Sequence, residues 1–159
     1  WIRVEKTAEV ENESFVKKLG PEPLKDLTLG KFIRVVSSSS RSIKVLLMDQ
    51  AKIGGVGNIY ANDALWLAGI SPKRPSSSLS SREQKSLFEA VLKVLKDGIK
   101  YQGASDQWYI TAEGKKGSYQ DHFLTYGQEG KLCPRCKKEK FQKFFLGGRG
   151  TYICPVCQK

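Results

Sequence analysis

The 159-residue chain has one histidine, one methionine and four cysteines. A single histidine, His122, excludes a histidine-built metal site, and His122 is expected to be structural. Four cysteines also suit a small secreted scaffold, but no others are present to extend a framework. No run approaches the roughly 20 apolar residues of a membrane span, and no apolar signal segment opens the chain. Acids are scarce toward the end: residues 131–159 carry 8 basic side chains against 1 acidic. A C-terminus so short of carboxylates has little with which to neutralise its own lysines and arginines.

The cysteines stand as Cys133-Pro134-Arg135-Cys136 and Cys154-Pro155-Val156-Cys157, separated by 17 residues. Two CxxC knuckles at that separation read as a closed four-thiolate zinc site, with room for a β-hairpin between them. Paired disulfides are the competing reading, but each would constrain only a tiny loop. A catalytic dithiol is disfavoured because no thioredoxin-like βαβ pattern surrounds either pair. Four cysteines leave zinc no open position, so the site is expected to be structural.

The net charge of +11 is uneven. Residues 73–100 carry 7 basic against 3 acidic groups, while residues 1–20 balance and residues 101–130 are slightly acidic. Clustered positive charge in a protein expected to be cytoplasmic points first to nucleic acid. A solvated basic face without a ligand is the plain alternative.

Along the chain, residues 1–16 read as a strand in mid-course, opening on Trp1, and suggest a piece of a larger protein. Residues 19–30 are a Pro/Gly-punctuated connection, and Lys31–Val36 reads as a brief helix or strand before Ser37–Ser40. From Ser42 an apolar face at Ile43, Leu46, Leu47 and Ala51 predicts a helix. Gly54-Gly55-Val56-Gly57 stops it, and Asn58 opens another that ends at Gly69. Ser80 and Glu83 fit a capping box for the longest helix, with Leu87, Val91, Leu92, Val94, Leu95 and Ile99 on its buried face and Gly103 at its end. Residues 104–130 read as a long loop bearing Trp108, Tyr109, Tyr119, Phe123 and Tyr126. Such aromatics either stack on bases or, more often, pin the loop to the body.

Glycines ahead of a helix start let backbone N–H groups approach a ligand closely, and the helix opens with unpaired donors and a positive dipole end. Gly57 and Asn58 therefore form a candidate phosphate site. A pure turn-and-cap role is the alternative.

Lys44 to Gln50 followed by Gly55-Val56-Gly57-Asn58-Ile59-Tyr60-Ala61 resembles the helix–two-turn–helix motif of formamidopyrimidine-DNA glycosylases. Residues Gly147 to Gln158, with Tyr126-Gly127 upstream, resemble that family's zinc finger. The resemblance covers the chain from Leu19 onward. It implies a mainly α fold: a helix–two-turn–helix DNA-binding bundle over 19–103, a lesion-recognition-type loop and connection over 104–130, and a four-cysteine zinc-finger β-hairpin over 131–159. Residues 1–18 would be the remnant of an N-terminal β-sandwich domain and its linker.

The family excises oxidised purines such as 8-oxoguanine and then cleaves the abasic strand by β,δ-elimination, using an N-terminal proline amine and the adjacent glutamate. A chain opening on Trp1 lacks both, so this portion is expected to be inactive alone. Carried over by position, Lys44, Gly57, Asn58 and Arg149 would contact DNA phosphates, and Arg149 would be the proton donor in δ-elimination. Cys133, Cys136, Cys154 and Cys157 would hold Zn²⁺. The expected partner is damaged double-stranded DNA, bound by a monomer in the cytoplasm of a bacterium, at the nucleoid. The sequence departs from the pattern at Asp63, where a glutamate is usual, and at Ser37–Ser40, where basic residues are common. An endonuclease VIII-like glycosylase and a non-catalytic zinc-ribbon module are the alternatives, and the helix–two-turn–helix unit speaks against the ribbon.

Overall fold

The computed structural model describes residues 4–104, 114 and 116–159. Among these, four α-helices and one two-stranded sheet follow in the order α1 (Leu29–Ser37), α2 (Ile43–Leu47), α3 (Asn58–Ala68), α4 (Ser81–Lys100), β1 (Gln142–Leu146) and β2 (Arg149–Ile153). The ambiguous segment at Lys31–Val36 is helical. Thr28 caps it, its side chain accepting from Lys31 N at 3.3 Å, and Phe32 and Val36 enter the core one turn apart.

Three expectations need correction. Residues 4–18 form short 3-10 turns at Val10–Asn12 and Val16–Lys18, held by local backbone bonds such as Glu13 N to Val10 O. Trp1 to Arg3 lie outside the described residues. The helix expected to reach Ala51 ends at Leu47, leaving Ala51 exposed. The cause is local: Asp49 turns its carboxylate back onto Ala51 N at 3.1 Å, while its carbonyl takes Lys52 N and Ile53 N. On α4, Ile99 points into solvent and Gly98 takes the buried place beside it. A Cβ at Gly98 would clash with the Tyr60 ring, so glycine there lets α4 lie close against α3. The helix stops at Lys100, and Gly103, at φ 78°, redirects the chain.

The main core is built by α1, α2, α3 and α4 around Phe32, Ile43, Leu46, Leu47, Val56, Leu65, Leu87 and Val91. A smaller core joins Trp66 of α3 to Phe141, Cys133 and Cys154. The sheet is an antiparallel hairpin pairing Gln142 with Ile153 and Leu146 with Arg149. Its two-residue turn is Gly147-Gly148, with φ of 58° and 71°, the conformation a tight right-twisted hairpin requires.

Ser80 and Glu83 form the capping box of α4 in full: Ser80 Oγ accepts from Glu83 N at 3.4 Å, and Ser80 N donates to Glu83 Oε2 at 2.8 Å. The Arg74 guanidinium beside Glu83, with the Ser80 N–H, lowers that carboxyl to about 2. A carboxylate depressed in the folded state stabilises it above the unfolded pKa of about 4.3 and loses that contribution as pH falls toward 2. Acid unfolding followed by circular dichroism should therefore steepen below about pH 4.5, and Glu83→Gln should flatten that limb.

Candidate nucleic-acid interface

The hairpin tip is bolted to the two helices that flank the glycine turn. Lys44, on α2, is wholly buried, and its ammonium donates to Gly150 O at 2.8 Å and to Thr151 Oγ1 at 2.7 Å. Burial first, and then the neighbouring Arg149 charge, lower its pKa to about 8. Asn62, on α3, is 1% exposed; its Oδ1 accepts from Tyr152 N at 2.8 Å and its Nδ2 donates to Asn58 O at 2.8 Å. Gly147 at the tip is packed on Val45, where an added Cβ would meet Cγ2 at 3.0 Å. Lys73 lies over the Phe144 ring at 4.2 Å.

These contacts bring together residues over a hundred positions apart in sequence. Arg149 sits exposed beside the tip, and its guanidinium has no ion pair or hydrogen bond among the described residues. Asn58 is the first residue of α3, and the helix N-terminus at Gly57 has no side-chain cap. Gly57 has φ −96° and open space at its Cβ position, so no steric demand for glycine arises there. The residues that require glycine in this turn are Gly54, where a Cβ would lie 2.7 Å from Gly20 O, and Gly55, with φ 79°. The turn is clamped by Gln50, whose Oε1 accepts from Gly55 N at 2.9 Å while its Nε2 donates to Val56 O at 2.9 Å. Exposed Arg149 and the uncapped α3 N-terminus are linked through Gly150 and Asn62, with the Lys44 ammonium buried behind Gly150, an arrangement of positive charge and free backbone donors suited to an anion.

Gln50, Asn62 and Thr151 escaped the sequence reading. A polar residue in a turn, helix or strand carries no mark of the partner it meets only in the folded chain, whether nearby as for Gln50 or distant as for Asn62 and Thr151. Asp63 is clearer in retrospect. It is fully buried, and its carboxylate accepts from Leu124 N, Thr125 N, Tyr126 N and Tyr119 Oη at 3.2, 2.9, 3.1 and 3.3 Å. Burial raises its pKa, against the pull of those donors. The shorter aspartate thus anchors the end of the 104–130 segment on α3. Tyr119, Phe123 and Tyr126 extend the anchor as a ladder of ring contacts reaching Tyr152, the last pair 5.1 Å apart. Of the two roles open to these aromatics, these three pin the segment to the body; Trp108 and Tyr109 lie outside the described residues. His122 stacks on Tyr101 at 3.6 Å.

At the hairpin's other end the four cysteine sulfurs lie within 4.8 Å of one another. Cys133 and Cys157 Sγ are 3.8 Å apart, and Cys136 and Cys154 Sγ 3.6 Å. A tetrahedron of thiolates at about 2.3 Å from a central ion has edges of about 3.8 Å, close to the two shortest pairs here, so the cluster could hold a metal ion. The Lys138 and Glu139 N–H groups lower Cys136 to about 6, whereas burial first pushes Cys157 to about 12. Gln158 secures the second knuckle, accepting from Cys154 N at 2.9 Å and donating to Ile70 O at 3.0 Å. Arg135 lies over the Trp66 ring at 4.2 Å and donates to Leu67 O at 3.2 Å, securing the first.

Among families of known proteins, residues 19–109 match the formamidopyrimidine-DNA glycosylase H2TH domain. The chain is 42% identical over 143 residues to the formamidopyrimidine-DNA glycosylase of Carboxydothermus hydrogenoformans, covering 89% of this chain and 54% of that protein. It is 41% identical to the Listeria innocua enzyme, covering 97% and 56%. The MutM (Fpg) protein of Thermus thermophilus superposes with a TM-score of 0.86 at 38% identity, covering 94% of this chain and 57% of that one. The Lactococcus lactis Fpg bound to DNA containing an abasic site also superposes with a TM-score of 0.86, at 36% identity, covering 96% and 56%. The chain therefore spans a little over half the length of the relatives it matches.

Asp63→Ala would remove the acceptor from the buried Thr125 N–H and from the partly buried Leu124 and Tyr126 N–H groups. Denaturant unfolding should show a loss of about 3 kcal/mol, since each orphaned buried donor costs about 1–3 kcal/mol.

Proposed function

The chain belongs to the formamidopyrimidine-DNA glycosylase family, and from that premise we propose that residues 19–159 grip damaged double-stranded DNA for a base-excision glycosylase and AP lyase. The observation that carries this reading is the docking of the Arg149 hairpin, through buried Lys44 and Asn62, against the uncapped α3 N-terminus and Asn58. Phosphates are its natural ligand. Arg149 offers a bidentate fork to phosphate oxygens, and the backbone donors around Gly57 and Asn58 offer fixed dipoles. Such contacts position a duplex without reading its sequence.

For the whole protein, the substrates follow the family: oxidised purines such as 8-oxoguanine, with strand cleavage at the resulting abasic site. Arg149 would then also stand near the departing phosphate and supply a proton in the second elimination. The relative from Lactococcus lactis is described in complex with abasic-site DNA, which supports damaged DNA as the partner class.

We assign Zn²⁺ to Cys133, Cys136, Cys154 and Cys157. With its shell closed by sulfur, the ion supplies no chemistry at the substrate; it supplies rigidity. The knuckles fix the base of the hairpin, so that Arg149 is presented by a short, stiff ribbon. Elemental analysis of chelator-free protein should find one zinc per chain. Stripping it should unfold the hairpin while retaining most helical circular dichroism, because the main core contains no cysteine.

Arg149→Ala tests the phosphate assignment. Measured on zinc-loaded protein, duplex affinity should fall by a similar factor for all sequences. The slope of log affinity against log salt should shrink by about 1, the signature of one lost phosphate contact. An unchanged slope would remove Arg149 from the interface.

A further inference from the structure

Asn62 carries no charge and never reaches the surface, yet it touches both halves of the interface. Its Oδ1 accepts from Tyr152 N at 2.8 Å. Its Nδ2 donates to Asn58 O at 2.8 Å, and lies 3.4 Å from Asn58 Oδ1 and 3.4 Å from Gly150 O. Gly150 and Tyr152 flank Thr151 on β2, and Gly150 directly follows Arg149.

The polarity of this arrangement is dictated by the backbone. A main-chain N–H can only donate, so Tyr152 N requires an oxygen opposite it. Asn62 Oδ1 must face β2, and its Nδ2 must face α3 and Gly150 O, both of which present oxygens. With Nδ2 on that side, the Asn58 side chain can meet it only through Oδ1. Asn58 Nδ2 is thereby turned away from Asn62, and on this half-buried residue it makes no hydrogen bond among the described residues. An outward amide donor suits an anion, whereas the flipped amide would present an acceptor and repel one.

We propose that Asn62 is a positioning residue: it relays the polarity of the Tyr152 N–H to Asn58, fixing that amide donor-outward, and holds β2 so that Asn58 and Arg149 face the same phosphate backbone. The relay rests on the proposed DNA-gripping role of the site. It acts through hydrogen-bond direction and not through charge, so a substitution at Asn62 that keeps β2 docked alters what Asn58 contributes.

A double-mutant cycle on the full, zinc-loaded chain tests it. Asn58→Ala should weaken duplex binding about tenfold in the parent, the loss expected of one phosphate bond to a neutral donor. In the Asn62→Ala background the same change should cost at most about twofold, because a freely rotating Asn58 has already lost its bias. Asn62→Asp is the second variant. Its carboxylate still accepts from Tyr152 N but sets an oxygen against the Asn58 and Gly150 carbonyls, beside the Lys44 ammonium, so retained protection of the Tyr152 amide from hydrogen exchange is the control for a docked hairpin. It offers Asn58 an acceptor, so Asn58 turns its NH₂ inward, and Asn58→Ala should then cost nothing. A further readout uses no DNA: by NMR the Asn58 side-chain NH₂ should exchange freely with water in the parent and slowly in Asn62→Asp. If Asn62→Ala releases the hairpin, the Asp variant decides. An equal tenfold cost in the parent and in Asn62→Asp, or an Asn58 NH₂ that exchanges alike in both, overturns the relay. Failure of the parent to bind duplex DNA would overturn the functional reading, and the NH₂ exchange would still judge the relay.

Discussion

The carbonyl of Gly150 is the point on which the rest of the architecture turns. It takes the buried ammonium of Lys44 from α2 and lies within reach of the Asn62 amide from α3. A hairpin of two five-residue strands has almost no core of its own; β2 is buried at Thr151 and Tyr152, on opposite faces, because Lys44 of α2 covers one and the Tyr126 ring the other. Burying a lysine is costly unless the ammonium is hydrogen-bonded, and two acceptors on β2 supply that condition. If the hairpin moves away, Lys44 is left with no partner there. The cost of an orphaned buried charge thus holds the hairpin in one place and Arg149 beside the start of α3.

A second constraint works from the other side of α3. Asp63 and Asn62 are adjacent in sequence, but on a helix adjacent residues face directions about 100° apart. One serves β2, and the other gathers Leu124, Thr125, Tyr126 and Tyr119. Helix α3 is consequently buried almost all round in its central turns, from Ala61 to Trp66. Its amphipathic pattern is correspondingly weak, as expected of a helix surrounded by protein. Its N-terminus remains open and uncapped, which is where a ligand would approach.

Much was legible in the sequence where chemistry is local. The CxxC pairs specify their own geometry, because a knuckle aims its two sulfurs and a metal tolerates one arrangement of four. The capping box at Ser80 and Glu83 and the helix stop at Gly69 are likewise short-range, and the structure contains both. The family resemblance rested on two such segments and held. Readings that depended on where a helix would end or which side it would bury were weaker. Ala51 lost its place to the back-bonding of Asp49, and Ile99 was left exposed while Gly98 met Tyr60.

What the sequence by itself determined is the inventory: the metal knuckles, the caps, the glycine turn, the basic hairpin and the arginine at its tip. Only the tertiary structure decided that Lys44 is a buried tether as well as a charge near Arg149, and that Gln50 clamps the glycine turn. It also decided that Asp63 carries the far end of the aromatic segment. The physical reason is common to all three. A polar side chain, buried like Lys44 and Asp63 or exposed like Gln50, is specified by the backbone groups it satisfies, and those groups belong to any residue type. Their positions exist only once the chain has folded.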